Sequence, residues 1–288
     1  MKLLEKGYKM LVCDFDLSLS KTDRTISERT VKAIKNFQSE GGIFGVCTGR
    51  ALPSLDLIYR DYGLTGFKIA YHGSIVADTD GKIISDTYMT TDEACFLIEL
   101  FAPDNDSFVI AYTTDGIFCN KDNERRAYYM KMTKVEVIVR ENLKQWISDG
   151  NFGVRKILIV DGPEKIKNIM EKASDRIPSD IQASISTPEF IEAVHISSTK
   201  GAAVLKLAKA MKISPADIVT VGDSSIDVSM LTCTGCGIAV KNADEETKRQ
   251  AVFVSDYTCD EDAVFHIIEE CAFSENPLYE GKNSLKGG

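Results

Sequence analysis

Long apolar runs are absent from this sequence, and none approaches the ~20 residues that a membrane-spanning helix requires. The first residues also lack the apolar core and cleavage site of a secretory signal. The eight cysteines follow no disulfide-like spacing, and Cys13 and Cys47 lie inside apolar runs, where buried thiols are common. We therefore expect a cytoplasmic protein in a reducing compartment, with no membrane partner.

Positive charge is also scarce, because 34 Lys and Arg residues stand against 43 Asp and Glu residues, for a net charge of −9. Nucleic acids are bound chiefly through clusters of Lys and Arg, so this balance argues against a nucleic-acid partner. The basic stretch from Arg125 to Lys134 contains two tyrosines, and we interpret it as a solvated helix face.

A zinc-binding pattern is missing as well. Cys233 and Cys236 are separated by two residues, but no second cysteine pair or neighbouring His completes a metal site. We interpret this pair as structural or incidental.

The two ends of the chain share one pattern, in which short apolar strands alternate with amphipathic helices. Ser27 is suited to cap the first of these helices, and a further helix is predicted over Thr199–Met211. The predicted strands are Met10–Cys13, Ile43–Cys47, Phe67–Tyr71 and Asp217–Val221. Such alternation is typical of a parallel sheet covered by helices.

The middle of the chain has a different texture. A hairpin is predicted where Ser107–Thr113 and Ile117–Asn120 flank Thr114-Asp115-Gly116, and further strands alternate with helical segments. We predict an α/β protein whose Rossmann-like core is formed by residues 1–82 and 191–288. An α+β domain over residues 83–190 is inserted into it.

Polar side chains follow three of the predicted core strands, at Asp14, Thr48 and Asp223. Because the carboxyl ends of strands in an open parallel sheet line its ligand crevice, three distant segments can meet there. Asp14 and Asp16 are also close enough to repel each other unless a cation or a proton intervenes. Mg²⁺ prefers such oxygen ligands and leaves positions open for a substrate phosphate.

Groups that bind a phosphoryl group are predicted at the same edge. Thr48 offers a hydroxyl, and Gly49 allows close approach of the backbone. Lys200 falls in the first turn of its helix, where Ser198 or Thr199 can act as N-cap. A lysine beside a helix N-terminus favours an anion, because both present positive charge.

Four short motifs together resemble the haloacid dehalogenase superfamily in order and approximate spacing. The long insert between the second and third motifs is similar to the C2 cap of the Cof-type branch, and the resemblance covers nearly the whole chain. The motifs are Asp14-Phe15-Asp16-Leu17-Ser18, Thr48-Gly49-Arg50, Lys200-Gly201 and Gly222-Asp223-Ser224-Ser225-Ile226-Asp227.

This resemblance implies a Mg²⁺-dependent phosphatase that acts on a small phosphorylated metabolite through an aspartyl phosphate. Asp14 would be the nucleophile and Asp16 the general acid and base. Thr48, Gly49, Lys200 and Asn242 would contact the substrate phosphate, and the cap would select the leaving group. The metal site would comprise Asp14, Asp223, Asp227 and, through a backbone carbonyl, the neighbourhood of Asp16.

Several positions depart from the family pattern or allow a second interpretation. Leu17 stands where the first motif usually has Gly, and Ile226 stands where the last motif usually has Asn. Asp227 either supports the metal or caps the following helix. His72 contacts substrate or is structural.

Two other functions remain open at this point. Related enzymes share the covalent intermediate but pass the phosphoryl group to another molecule, as phosphomutases and phosphotransferases do. The departures at Leu17 and Ile226 are also compatible with a weakly active protein that binds phosphorylated ligands. The pattern of residues indicates neither an oligomeric state nor an individual substrate.

Overall fold

The computed structural model describes residues 2–103, 106–270 and 274–275, with strands β1–β15 and helices α1–α10 numbered along this part of the chain. Both ends of the chain contribute to one nine-stranded sheet, ordered β15-β14-β13-β12-β1-β2-β3-β4-β5. Its strands are β1 (Met10–Cys13), β2 (Ile43–Cys47), β3 (Phe67–Ala70), β4 (Ile75–Ala77), β5 (Ile83–Asp86), β12 (Ile218–Gly222), β13 (Cys236–Ala239), β14 (Phe253–Val254) and β15 (Ser274–Glu275).

The centre of this sheet is parallel. β1 pairs with β2 and β12, and the parallel ladder continues to β3 on one side and to β14 on the other. At the margins of this sheet the pairing is antiparallel, between β3 and β4, between β4 and β5, and between β14 and β15. The central strands are almost wholly buried, as expected for a parallel sheet covered on both faces.

Helices cover both faces of the sheet because successive strand residues point to opposite sides. Leu11 and Cys13 of β1 pack with one apolar cluster, whereas Met10 and Val12 pack with another. The helices of the core are α1 (Glu28–Ser39), α2 (Leu52–Tyr62), α7 (Lys200–Met211), α8 (Val228–Leu231), α9 (Glu245–Gln250) and α10 (Ala263–Glu269). The predicted cap of α1 is confirmed, since the Ser27 side chain accepts a hydrogen bond from Thr30 N.

The inserted segment forms a second sheet of six strands, ordered β10-β11-β9-β6-β7-β8. The strands are β6 (Phe108–Thr113), β7 (Ile117–Cys119), β8 (Ile138–Val139), β9 (Val154–Val160), β10 (Ile181–Thr187) and β11 (Phe190–His195). The helices are α3 (Thr91–Phe101), α4 (Glu124–Thr133), α5 (Leu143–Gly150) and α6 (Pro163–Ala173). The predicted hairpin is confirmed, because β6 and β7 pair antiparallel.

The inserted domain, called the cap below, packs against the core through an apolar cluster. Phe108 and Tyr112 of the cap lie in one cluster with Ala51 and Tyr71 of the core. The predicted α/β fold with an inserted α+β domain is thus confirmed. The large sheet runs to Asp86 and β11 runs to His195, while the division at residues 82 and 190 stays a prediction. None of the described helices combines the length and the apolar character that a bilayer span requires.

Candidate active site

The ends of three parallel strands bring the predicted polar residues to one edge of the core sheet. Asp14 follows β1, and its N–H donates to the Val221 carbonyl of β12 at 2.8 Å. Thr48 follows β2, and its N–H donates to the Ile69 carbonyl of β3 at 2.9 Å. These ladder contacts continue just past the strands, so the side chains of Asp14 and Thr48 are buried in fixed positions.

Lys200 lies between two carboxylates at the bottom of this edge. Its Nζ is 2.5 Å from Oδ1 of Asp14 and 2.6 Å from Oδ1 of Asp227, and all three side chains are buried. The Thr199 hydroxyl accepts from Ala202 N and caps α7, as predicted. Burial disfavours the charge on Lys200, but Asp14 and Asp227 outweigh it and hold the lysine pKa well above its ordinary value.

Three carboxylates at this edge are close enough to share a cation. One oxygen from each of Asp14, Asp223 and Asp227 can lie within 4.8 Å of the others. Burial, followed by repulsion from Asp227, raises the pKa of Asp223 to about 7. Burial also raises the pKa of Asp14, against the opposing effect of Lys200. An oxygen-only donor set with this excess of negative charge fits a hard divalent cation such as Mg²⁺.

Asp227 makes further hydrogen bonds besides its contact with Lys200. Its Oδ2 accepts hydrogen bonds from Asp223 N at 3.0 Å, Ser224 N at 3.1 Å and the Ser224 hydroxyl at 3.1 Å. The Asp227 side chain makes no capping bond to α8, so the helix-cap interpretation is not what the structure shows. The carboxylate orients Lys200 and the loop that carries Asp223.

Asp16 lies beside this cluster rather than in it. Arg50 donates two hydrogen bonds to its carboxylate, from Nε at 2.8 Å and Nη2 at 2.6 Å. The Asp16 side chain is 47% exposed, whereas that of Asp14 is only 9% exposed. Leu17 follows with a positive φ of 58°. The chain thus adopts at Leu17 a left-handed conformation that glycine usually provides.

The segment Thr48-Gly49-Arg50 forms a tight loop against His72. A Cβ atom placed on Gly49 would lie 2.3 Å from Cε1 and 2.5 Å from Nε2 of the His72 ring. Only glycine therefore fits at position 49 without displacing the ring. The Thr48 hydroxyl accepts a hydrogen bond from Arg50 N at 3.2 Å, which leaves its own proton for another acceptor.

Core and cap together enclose a crevice of about 340 Å³ above the carboxylates. From the core, Asp14, Asp16, Thr48, Gly49, Lys200 and Asp223 all line it, so most of the predicted site residues share one cavity. From the cap it is lined by Tyr129, Met132, Thr133, Lys156, Leu158, Ser186, Thr187, Phe190 and Glu192.

Two cap residues at this crevice were not predicted from the sequence. Lys156 donates to the Gly49 carbonyl at 2.8 Å and to Oε2 of Glu192 at 2.6 Å. Oε2 of Glu192 also lies 2.5 Å from Nε2 of His72. His72 thus has a hydrogen-bond partner in the cap, and burial lowers its pKa despite the nearby carboxylate. The sequence offers no signal for these pairings, because they depend on how the cap docks.

Asn242 does not line the crevice itself, but it contacts Leu17, which does. Its Nδ2 donates to the Leu17 carbonyl at 2.8 Å, and its Oδ1 accepts from Cys259 N at 2.7 Å. The side chain thus tethers the loop after β1, and its predicted contact with phosphate stays a prediction. Cys233 lies with its Sγ 3.6 Å from the Met230 carbonyl, in keeping with a structural interpretation.

Residues 11–268 match the family model of haloacid dehalogenase-like hydrolases. The chain belongs to this family. The hydrolase is 26% identical to the 5-amino-6-(5-phospho-D-ribitylamino)uracil phosphatase YwtE of Bacillus subtilis, over 91% of this chain and 97% of that protein.

Two solved structures resemble this hydrolase along nearly their whole length. The protein TM0651 from Thermotoga maritima is 27% identical, with a TM-score of 0.77 over 91% of this chain and 97% of the other. A haloacid dehalogenase-like hydrolase from B. subtilis is 21% identical, with a TM-score of 0.82 over 90% and 98% of the two chains, and shows the fold. The predicted superfamily and class of enzyme are confirmed.

Proposed function

We propose that this hydrolase cleaves small phosphate monoesters with Mg²⁺ and an aspartyl-phosphate intermediate. The observation that carries the proposal is the position of Asp14, whose carboxylate ends the central strand between Lys200 and the oxygens of Asp223 and Asp227. A carboxylate can act as nucleophile when neighbouring cations offset the charge of the incoming phosphate. The crevice above it leaves room for that phosphate.

Each residue then has a defined part in the reaction. One oxygen of Asp14 attacks phosphorus, and the bond from phosphorus to the ester oxygen breaks. Asp16 gives its proton to that oxygen, which leaves as an alcohol. Asp16 then takes a proton from the water that attacks phosphorus, and the bond from phosphorus to Asp14 breaks to release phosphate and restore the carboxylate. Lys200, the Thr48 hydroxyl and the backbone at Gly49 hold the phosphoryl oxygens.

The metal site would use oxygens of Asp14 and Asp223 with a backbone carbonyl near Asp16. Asp227 supports it through the Asp223 loop, because both of its oxygens already accept hydrogen bonds. When bound, Mg²⁺ neutralises negative charge between the carboxylates and the phosphoryl group. The Arg50 contact holds Asp16 to one side, so we infer that Asp16 leaves this contact when it protonates the alcohol.

The substrate class follows from the size and lining of the crevice. A volume of about 340 Å³ accepts a small metabolite. Its cap wall combines the rings of Tyr129 and Phe190 with the hydroxyls of Ser186 and Thr187. Such a wall suits sugar phosphates, nucleotides or phosphorylated cofactor precursors, and the name of the B. subtilis relative YwtE includes a phosphorylated ribityl group.

Phosphate release from a panel of such metabolites, with Mg²⁺ or with EDTA, tests the proposal. We expect release in Mg²⁺ only, and none from the Asp14→Asn variant. Transfer of the phosphoryl group to an added sugar phosphate, with little free phosphate, would contradict hydrolysis and favour a phosphotransferase. Binding of Mg²⁺ and substrate without turnover would contradict it in favour of a ligand-binding protein.

A further inference from the structure

The carbonyl groups of the phosphate-binding loop are held by three separate donors. The Thr48 carbonyl accepts from His72 N at 2.9 Å, and the Arg50 carbonyl accepts from Tyr71 N at 2.9 Å. Both donors belong to the core. The carbonyl between them, that of Gly49, accepts instead from Nζ of Lys156, which lies on β9 of the cap.

The Gly49 carbonyl and the Arg50 N–H belong to one peptide unit. In a trans peptide, the C=O group and the following N–H group point in opposite directions. Lys156 therefore sets the direction of the Arg50 N–H, which donates to the Thr48 hydroxyl oxygen at 3.2 Å. A hydroxyl that accepts this bond keeps its own proton for a phosphoryl oxygen. One peptide plane therefore links the Lys156 contact to the Thr48 hydroxyl.

Lys156 is itself firmly placed. It is only 4% exposed, and Oε2 of Glu192 accepts from it at 2.6 Å. The other oxygen of Glu192 accepts from the Ser186 hydroxyl at 2.7 Å, and Oε2 also contacts His72. Burial disfavours the Glu192 carboxylate, but Lys156 and His72 outweigh it and hold its pKa well below the ordinary value. Two acceptors for Lys156 and three hydrogen-bond contacts to Glu192 together give this buried ion pair a defined geometry.

We propose that Lys156 is a positioning residue for phosphoryl transfer, acting from the cap on the Gly49 carbonyl and so orienting the Thr48 hydroxyl toward the phosphate. The inference rests on the proposed function of Thr48. The anion site is then complete only when the cap is docked, because no core residue in the described chain donates to the Gly49 carbonyl.

This positioning role differs from recognition of the leaving group. A residue that orients the Thr48 hydroxyl affects every phosphate ester alike. A residue that contacts the leaving group affects some esters and spares others. Phosphate esters with different leaving groups therefore separate the two roles.

The test compares Lys156→Met with the control Lys134→Met. Lys134 also joins the cap to the core, through Asp61 at 3.4 Å, but lies outside the crevice lining. For Lys156→Met we expect kcat/KM to fall about 10- to 100-fold, by one common factor for an aryl phosphate, a sugar phosphate and a nucleotide. For Lys134→Met we expect less than about a twofold change.

Two additions keep the test independent of folding and of the proposed function. The double variant Lys156→Met with Glu192→Gln leaves no unpaired buried carboxylate, and we expect it to fold with the same loss of activity. Binding of orthovanadate, an analogue of the transferring phosphoryl group, should weaken by a similar factor. If the wild type binds vanadate but hydrolyses nothing, hydrolysis fails, and weaker vanadate binding in Lys156→Met still supports the positioning role. Unequal losses across leaving groups, or unchanged kcat/KM and vanadate affinity, would overturn it.

Discussion

Nζ of Lys200 lies 2.5 Å from Oδ1 of Asp14, and both side chains are buried at the carboxyl end of the central strand. Under the proposed function, this contact would orient Asp14 as the nucleophile and place a cation beside the bound phosphate. Removing that cation by Lys200→Met should lower kcat/KM about 10²- to 10³-fold, the cost of losing one donor to a transition state.

The control for this prediction lies on the same helix. Lys209 is exposed on α7, so Lys209→Met should leave kcat/KM within about twofold of wild type. Steady-state kinetics, with circular dichroism to verify folding, makes the comparison. Equal activity of folded Lys200→Met and Lys209→Met would contradict the role of Lys200.

The carboxylate cluster predicts how stability depends on pH when metal is absent. Burial and then Asp227 raise the pKa of Asp223 from 3.8 to about 7. The unfolded chain ionises Asp223 at its lower ordinary pKa. The stability that Asp223 contributes to the fold is therefore fully present only at a pH below that ordinary pKa. The contribution is lost as pH rises toward the folded value.

A melting experiment checks this sign. In EDTA, the protein should melt at a lower temperature at about pH 8 than at about pH 6, because ionised carboxylates then repel one another in the fold. Mg²⁺ should raise the melting temperature more at the higher pH. In Asp223→Asn the pH difference should shrink. A metal-free protein that melts higher at the alkaline pH would disagree with this account.

Gly49 has no room for a side chain, which gives a third prediction. A methyl group there would lie 2.3 Å from the His72 ring and would disturb the contact between His72 and Glu192. Gly49→Ala should therefore cost about 1–3 kcal/mol of unfolding free energy and reduce activity. Chemical denaturation measures the first effect.

Gly162 supplies the matched control for that substitution. Nothing lies within 4 Å of a Cβ placed on Gly162, which precedes α6. Gly162→Ala should cost less than about 1 kcal/mol. The same cost at both positions would show that the His72 ring gives way freely.

Leu17 holds a positive φ of 58° at an exposed position, and this predicts an unusual order of stability. Glycine normally destabilises a protein relative to alanine through the entropy of the unfolded chain. Here Leu17→Gly should be more stable than Leu17→Ala by about 1 kcal/mol, since only glycine adopts this conformation without steric cost. The usual order, with alanine more stable, would contradict the backbone conformation of Leu17.

The fold and the meeting of Asp14, Thr48 and Asp223 could be predicted from sequence for a simple reason. Each residue directly follows an apolar strand, and parallel strands end at one edge of the sheet. Lys200 could be predicted to lie at the same edge, because its N-cap and the helix pattern that follows place it in the first turn of a helix there. The family match confirms the fold, while the roles of these residues stay predictions for the experiments above.

Other parts of the site depend on packing that local sequence patterns do not contain. Lys156 and Glu192 lie on different cap strands, and their contacts with Gly49 and His72 exist only because the cap docks in one orientation. The ion pair of Arg50 with Asp16 likewise joins two loops. Side-chain partners across a domain interface have no periodicity that would reveal them.

The covalent intermediate offers the most direct test of the central claim. Protein mixed with its best substrate and Mg²⁺ would be quenched in acid during turnover, digested and analysed by mass spectrometry. We predict one added phosphoryl group on the peptide that contains Asp14, and none on that peptide from Asp14→Asn. Steady turnover by the wild type with no phosphorylated peptide, or undiminished turnover by Asp14→Asn, would contradict nucleophilic attack by Asp14.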